Sequence, residues 1–242
     1  MIPIPSAFIG IDWSGAKGPR QQGIQLACAT PGNAPPQRID CPAGKNWGRE
    51  AVFDWLLELA HHGAALVDPA QWRDDGPVIV GIDFAFAHPF IDEDCYYPSL
   101  STAAQPCNPT ALWQMIDELC SQDPHLYGGR VFATPPLGDY YLSPYNYKAP
   151  RFASRRRVTD YAAQQAGRKP SSTFKAIGAD NVATGSMAGM RLLHRLKSTL
   201  AGDLAIWPFD DLATDGQWPA LIIVEIFPSL YFHAVGLNPA RN

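Results

Sequence analysis

No stretch of this sequence approaches the ~20 consecutive apolar residues that a membrane helix requires, so no membrane partner is expected. The opening Met1-Ile2-Pro3-Ile4-Pro5 lacks a basic region followed by a long apolar core, and does not read as a signal peptide. Cysteine is scarce. Cys28, Cys41, Cys95, Cys107 and Cys120 are odd in number and show no CxxC spacing, which argues for reduced thiols and a cytoplasmic location rather than a disulfide framework. Cys95, Cys107 and Cys120 also miss the spacings of structural zinc sites. His61, His62, His88, His125, His194 and His233 form no HExxH pattern, and no GxSxG elbow occurs. A zinc protease and a serine hydrolase are therefore disfavoured. The GxxxxGKS/T spacing of a P-loop is missing as well. There is no low-complexity tract and no long internal repeat.

What is abundant is proline, with 23 residues spread along the chain as in a protein of many rigid loops. The 242 residues can bury a sizeable core and are read as a single domain, 1–242. Charge is uneven. Lys148, Arg151, Arg155, Arg156, Arg157, Arg168, Lys169 and Lys175 face one acid, Asp160, within a chain of formal net charge −4. A locally basic segment on an acidic body points to an anionic partner.

The apolar pattern predicts strands near Ala7–Trp13, Gly23–Thr30 and Gln37–Cys41, joined by loops short enough for an antiparallel meander. A helix follows over Trp47–His62, with Val52, Trp55, Leu56, Leu59 and Ala60 on one face. The next strand, Val78–Phe84, is expected to lie parallel to the first, because a crossover helix precedes it. Shorter helices are expected over Pro109–Ser121 and Val158–Ala166. Ser186–Leu200 reads as a helix, and Ala205–Trp207 and Leu221–Phe227 as closing strands. The stretch from Arg130 to Pro170 holds few apolar residues at core spacing and reads as a long surface insertion; with the preceding loop the insertion covers about 88–170.

Three apolar strands end in an acid: Gly10-Ile11-Asp12, Gly81-Ile82-Asp83 and Val224-Glu225. Buried carboxylates are costly unless something uses their charge. Two-metal phosphoryl chemistry uses several carboxylates on Mg²⁺ or Mn²⁺. Asp12, Asp83 and Glu225 are thus the candidate catalytic and metal-ligating residues; the plain alternative is that each caps a loop or pairs with a basic residue. Ser14 and Lys17, in the turn after the first strand, are candidates for holding a phosphate, the alternative being a simple hairpin turn. Arg155 and Arg156, among aromatic residues, suit a nucleic-acid backbone as well as a solvated face.

Gly10-Ile11-Asp12-Trp13-Ser14-Gly15-Ala16-Lys17, Gly81-Ile82-Asp83-Phe84-Ala85-Phe86 with Pro89 beyond, and Val224-Glu225-Ile226-Phe227-Pro228 resemble the domain of unknown function 429 family, predicted nucleases of ribonuclease H-like fold. Ser171-Ser172-Thr173-Phe174 and Gly185-Ser186-Met187-Ala188-Gly189-Met190 are similar to segments preceding that family's last strand pair. The resemblance implies an α/β domain with a mixed five-stranded sheet flanked by helices, and a metal-dependent nuclease with its ligands at Asp12, Asp83 and Glu225. One departure is that no acid follows Glu225. Either Glu225 completes the site, or the chain is truncated, or catalysis is lost. The rival readings are an actin-like or sugar-kinase-type ATP-binding domain, and a catalytically silent module that binds nucleic acid or protein.

Overall fold

The apolar runs form a six-stranded mixed sheet in the computed structural model, which describes residues 3–66, 76–178, 181–213, 216–232 and 234–236. Met1, Ile2 and His233 lie outside the described residues. Strands β1 (Ala7–Asp12), β2 (Gln25–Ala29) and β3 (Gln37–Ile39) make the expected antiparallel meander. Helix α1 (Arg49–His62) then leads to β4 (Val78–Ile82), which lies parallel to β1. Helices α2 (Pro109–Leu119), α3 (Arg130–Ala133), α4 (Val158–Gln165) and α5 (Ala183–Leu200) follow, and β5 (Leu204–Trp207) and β6 (Leu221–Glu225) close the chain. The sheet order is β3-β2-β1-β4-β6-β5. It has six strands where five were expected, because β5 pairs in parallel on the outer side of β6.

Period-two alternation puts Ala7, Ile9 and Ile11 on the same sheet face as Val78, Val80 and Ile82, and as Leu221 and Ile223. These side chains are buried in one core with α1, α2 and α5. Helix α5 packs against α1, α2 and β5, which anchors its N-terminus close to the turn after β1. Two glycines make that approach possible. A Cβ on Gly15 would meet the Thr184 backbone at 2.2 Å, and one on Gly189 would meet the Phe84 ring at 2.3 Å.

The stretch read as a surface insertion is partly core. Val131, Phe132, Leu137, Tyr140 and Tyr141 are buried, together with Tyr97 and Trp113 ahead of them. Its aromatic rings pack without a helical or strand period. Tyr97, Tyr140, Tyr141, Phe132, Phe174 and His88 form one ring cluster. No described helix is long and apolar enough to cross a membrane.

Candidate active site at the strand ends

The β1–β4 register pairs Ile11 with Ile82, and the ladder runs one residue further, the Asp83 amide donating to the Ile11 carbonyl (3.1 Å). Asp12 and Asp83 therefore end neighbouring parallel strands side by side. On the other flank of β4, Ile82 pairs with Glu225, and the Ile226 amide donates to the Ile82 carbonyl (3.1 Å). All three acids sit at one rim of the sheet, at the C-terminal ends of adjacent parallel strands.

They are not equivalent. The pleat groups Asp12 with Phe8 and Gly10 on one face, and Glu225 with Leu221 and Ile223 on the other. Asp83, one residue past β4, stands between them. Burial, then the negative charges of Asp12 and Glu225, push its carboxyl up to about 6. The Asp12 carboxyl is also raised, chiefly because surrounding protein strips part of its hydration, against a backbone hydrogen bond at Trp13. Glu225 is tethered. Its Oε2 accepts from the Phe86 amide (2.9 Å) and from Arg157 Nη1 (2.7 Å). Among the described residues, no group of three acidic, His or Cys side chains is gathered to hold a metal ion.

A cavity of about 470 Å³ opens at this rim. Asp83, Glu225, Arg157 and Asp160 line it, together with Ser14, Gly15, Ala16 and the start of α5. The turn of residues 14–16 is held from beneath by the buried Arg49, whose Nη1 donates to the Ser14 and Ala16 carbonyls (3.0 and 2.9 Å). From α5, the Gly185 carbonyl accepts from Trp13 Nε1 (3.1 Å). Helix N-termini present unpaired N–H groups and a partial positive charge, so this part of the lining suits an anion while Asp83, Asp160 and Glu225 contribute carboxylates.

The basic cluster divides in an unexpected way. Arg155 is buried against its own neighbourhood, donating to Asp92 (2.6 and 2.8 Å) and to the carbonyls of Pro89, Cys95 and Tyr96. Arg156 donates to Ser154 and is not part of the lining of the rim cavity. Lys17 is exposed and lies 6.0 Å from the Tyr127 ring centroid, also outside the cavity lining. Arg157 is the arginine that enters the site. It bridges Glu225 (2.7 Å) and Asp160 (2.9 Å). Burial works against its charge, but the two acids outweigh that and hold the guanidinium above its usual range. Asp160 also caps α4, its Oδ2 accepting from the Arg157 amide (2.9 Å).

His88 supports the wall from behind. Its Nδ1 is 2.8 Å from the Thr173 hydroxyl, which borders the cavity, and its Nε2 is 2.7 Å from the Tyr141 hydroxyl. Tyr141 continues to Tyr97 (2.7 Å). Burial, then the charges of Arg155 and Arg157, press the imidazole down to about 3, so it is neutral at physiological pH.

Comparison with protein families, with curated proteins and with solved structures found no match for this chain.

Proposed function

We propose that this protein is a divalent-metal-dependent nuclease of ribonuclease H-like architecture, hydrolysing phosphodiester bonds of nucleic acid. The observation that carries this reading is the register that sets Asp12 beside Asp83 at the C-terminal ends of two adjacent parallel strands. The chain leaves β1 toward β2 on one side, whereas β4 is flanked by β6 on the other, and such switch points are where open α/β sheets bind ligands. A three-stranded meander followed by parallel strands is in keeping with the proposed architecture.

The donor set fits a hard cation. Mg²⁺ keeps several waters and takes one or two protein carboxylates together with substrate phosphate oxygens. Asp12 and Asp83 would be those carboxylates, and the pKa of Asp83, raised by burial and then by the charges of Asp12 and Glu225, marks a carboxylate whose ionised form a cation would favour. Bound Mg²⁺ or Mn²⁺ supplies Lewis-acid polarisation of the phosphodiester and an acidified water. The protein's own groups do the rest. The N–H groups at the start of α5 and the Ser14–Ala16 turn orient a phosphate. Glu225, fixed through one oxygen by Arg157 and the Phe86 amide, keeps its Oε1 for the water or an outer ligand contact. Arg157, which lines the cavity, would face the charge that develops on the phosphate, in the role that the sequence suggested for Arg155 and Arg156.

The test is cleavage of labelled single- and double-stranded DNA and RNA in Mn²⁺ and in EDTA. Asp12→Asn should abolish Mn²⁺-dependent cleavage while circular dichroism stays unchanged. Full activity in that variant would contradict the assignment.

A further inference from the structure

Across the Arg157–Glu225 ion pair from the acidic cavity lies a second one of about 660 Å³, within the range of about 300–1,000 Å³ usual for small-molecule sites. Arg157, Asp160 and Glu225 border both, so the two are adjoining chambers with a common partition. The second chamber is aromatic. Tyr161 on α4, Trp207 at the end of β5 and Tyr231 near the C-terminus line it, residues that are 55%, 51% and 63% exposed. Among the described residues these three rings stack on no other aromatic ring, and their polar atoms have no hydrogen-bond partner. Large rings left this open in three separate segments, all facing one chamber, are out of keeping with a purely structural role.

Charge narrows the choice of occupant. Each acid on the chamber wall is ion-paired, Asp92 with Arg155 and both Asp160 and Glu225 with the single guanidinium of Arg157, which leaves that trio one negative charge in excess. Arg156, also on the wall, is in no ion pair among the described residues, and its Nε is buried without a hydrogen-bond partner. The chamber thus offers π faces and, in Arg156, a guanidinium outside any ion pair whose charge offsets the excess of the Arg157 trio. Because the chain is acidic overall and Arg155 and Arg157 are internally paired, phosphate neutralisation contributes little, and a nucleic acid must be held mainly by stacking.

We propose that this chamber receives an unpaired base of the strand whose phosphate enters the acidic cavity, with Tyr161 and Trp207 as its stacking surfaces and Arg156 as the donor to a flanking phosphate. The substrate is then single-stranded or locally unpaired nucleic acid, since bases within a duplex are already stacked and do not present their faces. The placement of the phosphate rests on the nuclease reading; the base site does not depend on cleavage.

The experiment is fluorescence anisotropy of a short fluorescein-labelled single-stranded oligonucleotide of mixed sequence, in EDTA so that nothing is cut. Trp207→Ala or Tyr161→Ala should weaken binding about 5- to 150-fold, the equivalent of one lost base stack. Trp207→Phe should keep binding within a few-fold, and the duplex of the same sequence should bind no better than Trp207→Ala does to the single strand. Unchanged binding in the Trp207→Ala/Tyr161→Ala double variant would overturn the proposal. So would equal affinity for duplex, absence of single-strand binding by the wild type, or self-association in sedimentation that Trp207→Ala removes, which would seat a second copy in the chamber. Cleavage assays on the same samples separate the two readings. Stacking without any metal-dependent cleavage sinks the nuclease and leaves the base site standing. Cleavage with binding indifferent to both rings does the reverse.

Discussion

Asp83→Asn should make the folded protein more stable at alkaline pH, and the size of the gain follows from the burial of that carboxyl and, after it, from the charges of Asp12 and Glu225. The Asp83 carboxyl titrates at about 6 in the fold, against 3.8 for an unperturbed Asp. Every tenfold weakening of an acid corresponds to about 1.4 kcal/mol, so the ionised group costs up to about 3 kcal/mol; its partial contact with solvent brings the expected figure to about 1–3 kcal/mol. Between these two pKa values the folded state holds a proton that the unfolded chain has already released. Stability therefore falls as pH rises through that window, and the deficit is complete above about 6. Asparagine removes it. His88 contributes an opposite slope, because its depressed pKa costs stability as pH falls from 6.5 toward 3; both proteins share that slope, so it cancels in their difference. The assay is thermal unfolding of wild type and Asp83→Asn across this range. The variant should gain about 2–4 °C per kcal/mol near pH 8, and the gap should close near pH 3.5. Saturating Mg²⁺ near pH 8 should raise the wild-type melting temperature toward that of the variant and leave the variant almost unmoved. Equal melting temperatures at every pH, or an Asp83→Asn protein less stable near pH 8, would refute the idea that burial and acidic neighbours penalise the ionised Asp83 carboxylate.

Arg157→Ala leaves Asp160 and Glu225, whose side chains are only 5% and 28% exposed, without their shared cation. Urea unfolding should show a loss of about 2–4 kcal/mol, below the range for fully buried pairs because Glu225 keeps some solvent; a loss under about 0.5 kcal/mol would mean the bridge is dispensable. Gly15→Ala places a methyl group 2.2 Å from the Thr184 backbone, so α5 must retreat from the turn after β1. A destabilisation of about 1–3 kcal/mol is expected, with loss of Mn²⁺-dependent cleavage, and near-native stability would show that the approach is not tight.

The parts of the architecture legible in the sequence are those written in local periodicity. The Gly-Ile-Asp echo marked β1 and β4, and their parallel register follows from the intervening α1. Helices α1, α2, α4 and α5 and the closing strands also fell where apolar spacing put them, within two or three residues, whereas the short α3 lies in the stretch read as surface insertion. The sixth strand of the sheet was visible as Ala205–Trp207, but the five-stranded count implied by the family resemblance left it out. Other features depend on packing that spacing does not encode. Three consecutive arginines look alike as a string of letters, yet Arg157, at the N-cap of α4, reaches Glu225 while Arg155 is tied to Asp92. Phe132, Tyr140 and Tyr141 lack a regular period, so a segment that fills the core read as surface. Glu225 ends its strand on the face opposite Asp12, a difference that depends on which residue of β6 pairs with Ile82. The aromatic chamber draws Tyr161, Trp207 and Tyr231 from three distant segments, and nothing local announces their meeting.

Calorimetric titration of Mn²⁺ into the purified protein bears most directly on whether the strand-end acids hold a cation. The wild type should bind Mn²⁺, more tightly near pH 8 than near pH 5 because Asp83 must lose its proton, and the Asp12→Asn/Asp83→Asn variant should not bind at that site. Absence of binding by the wild type, or undiminished binding by the double variant, would contradict the account.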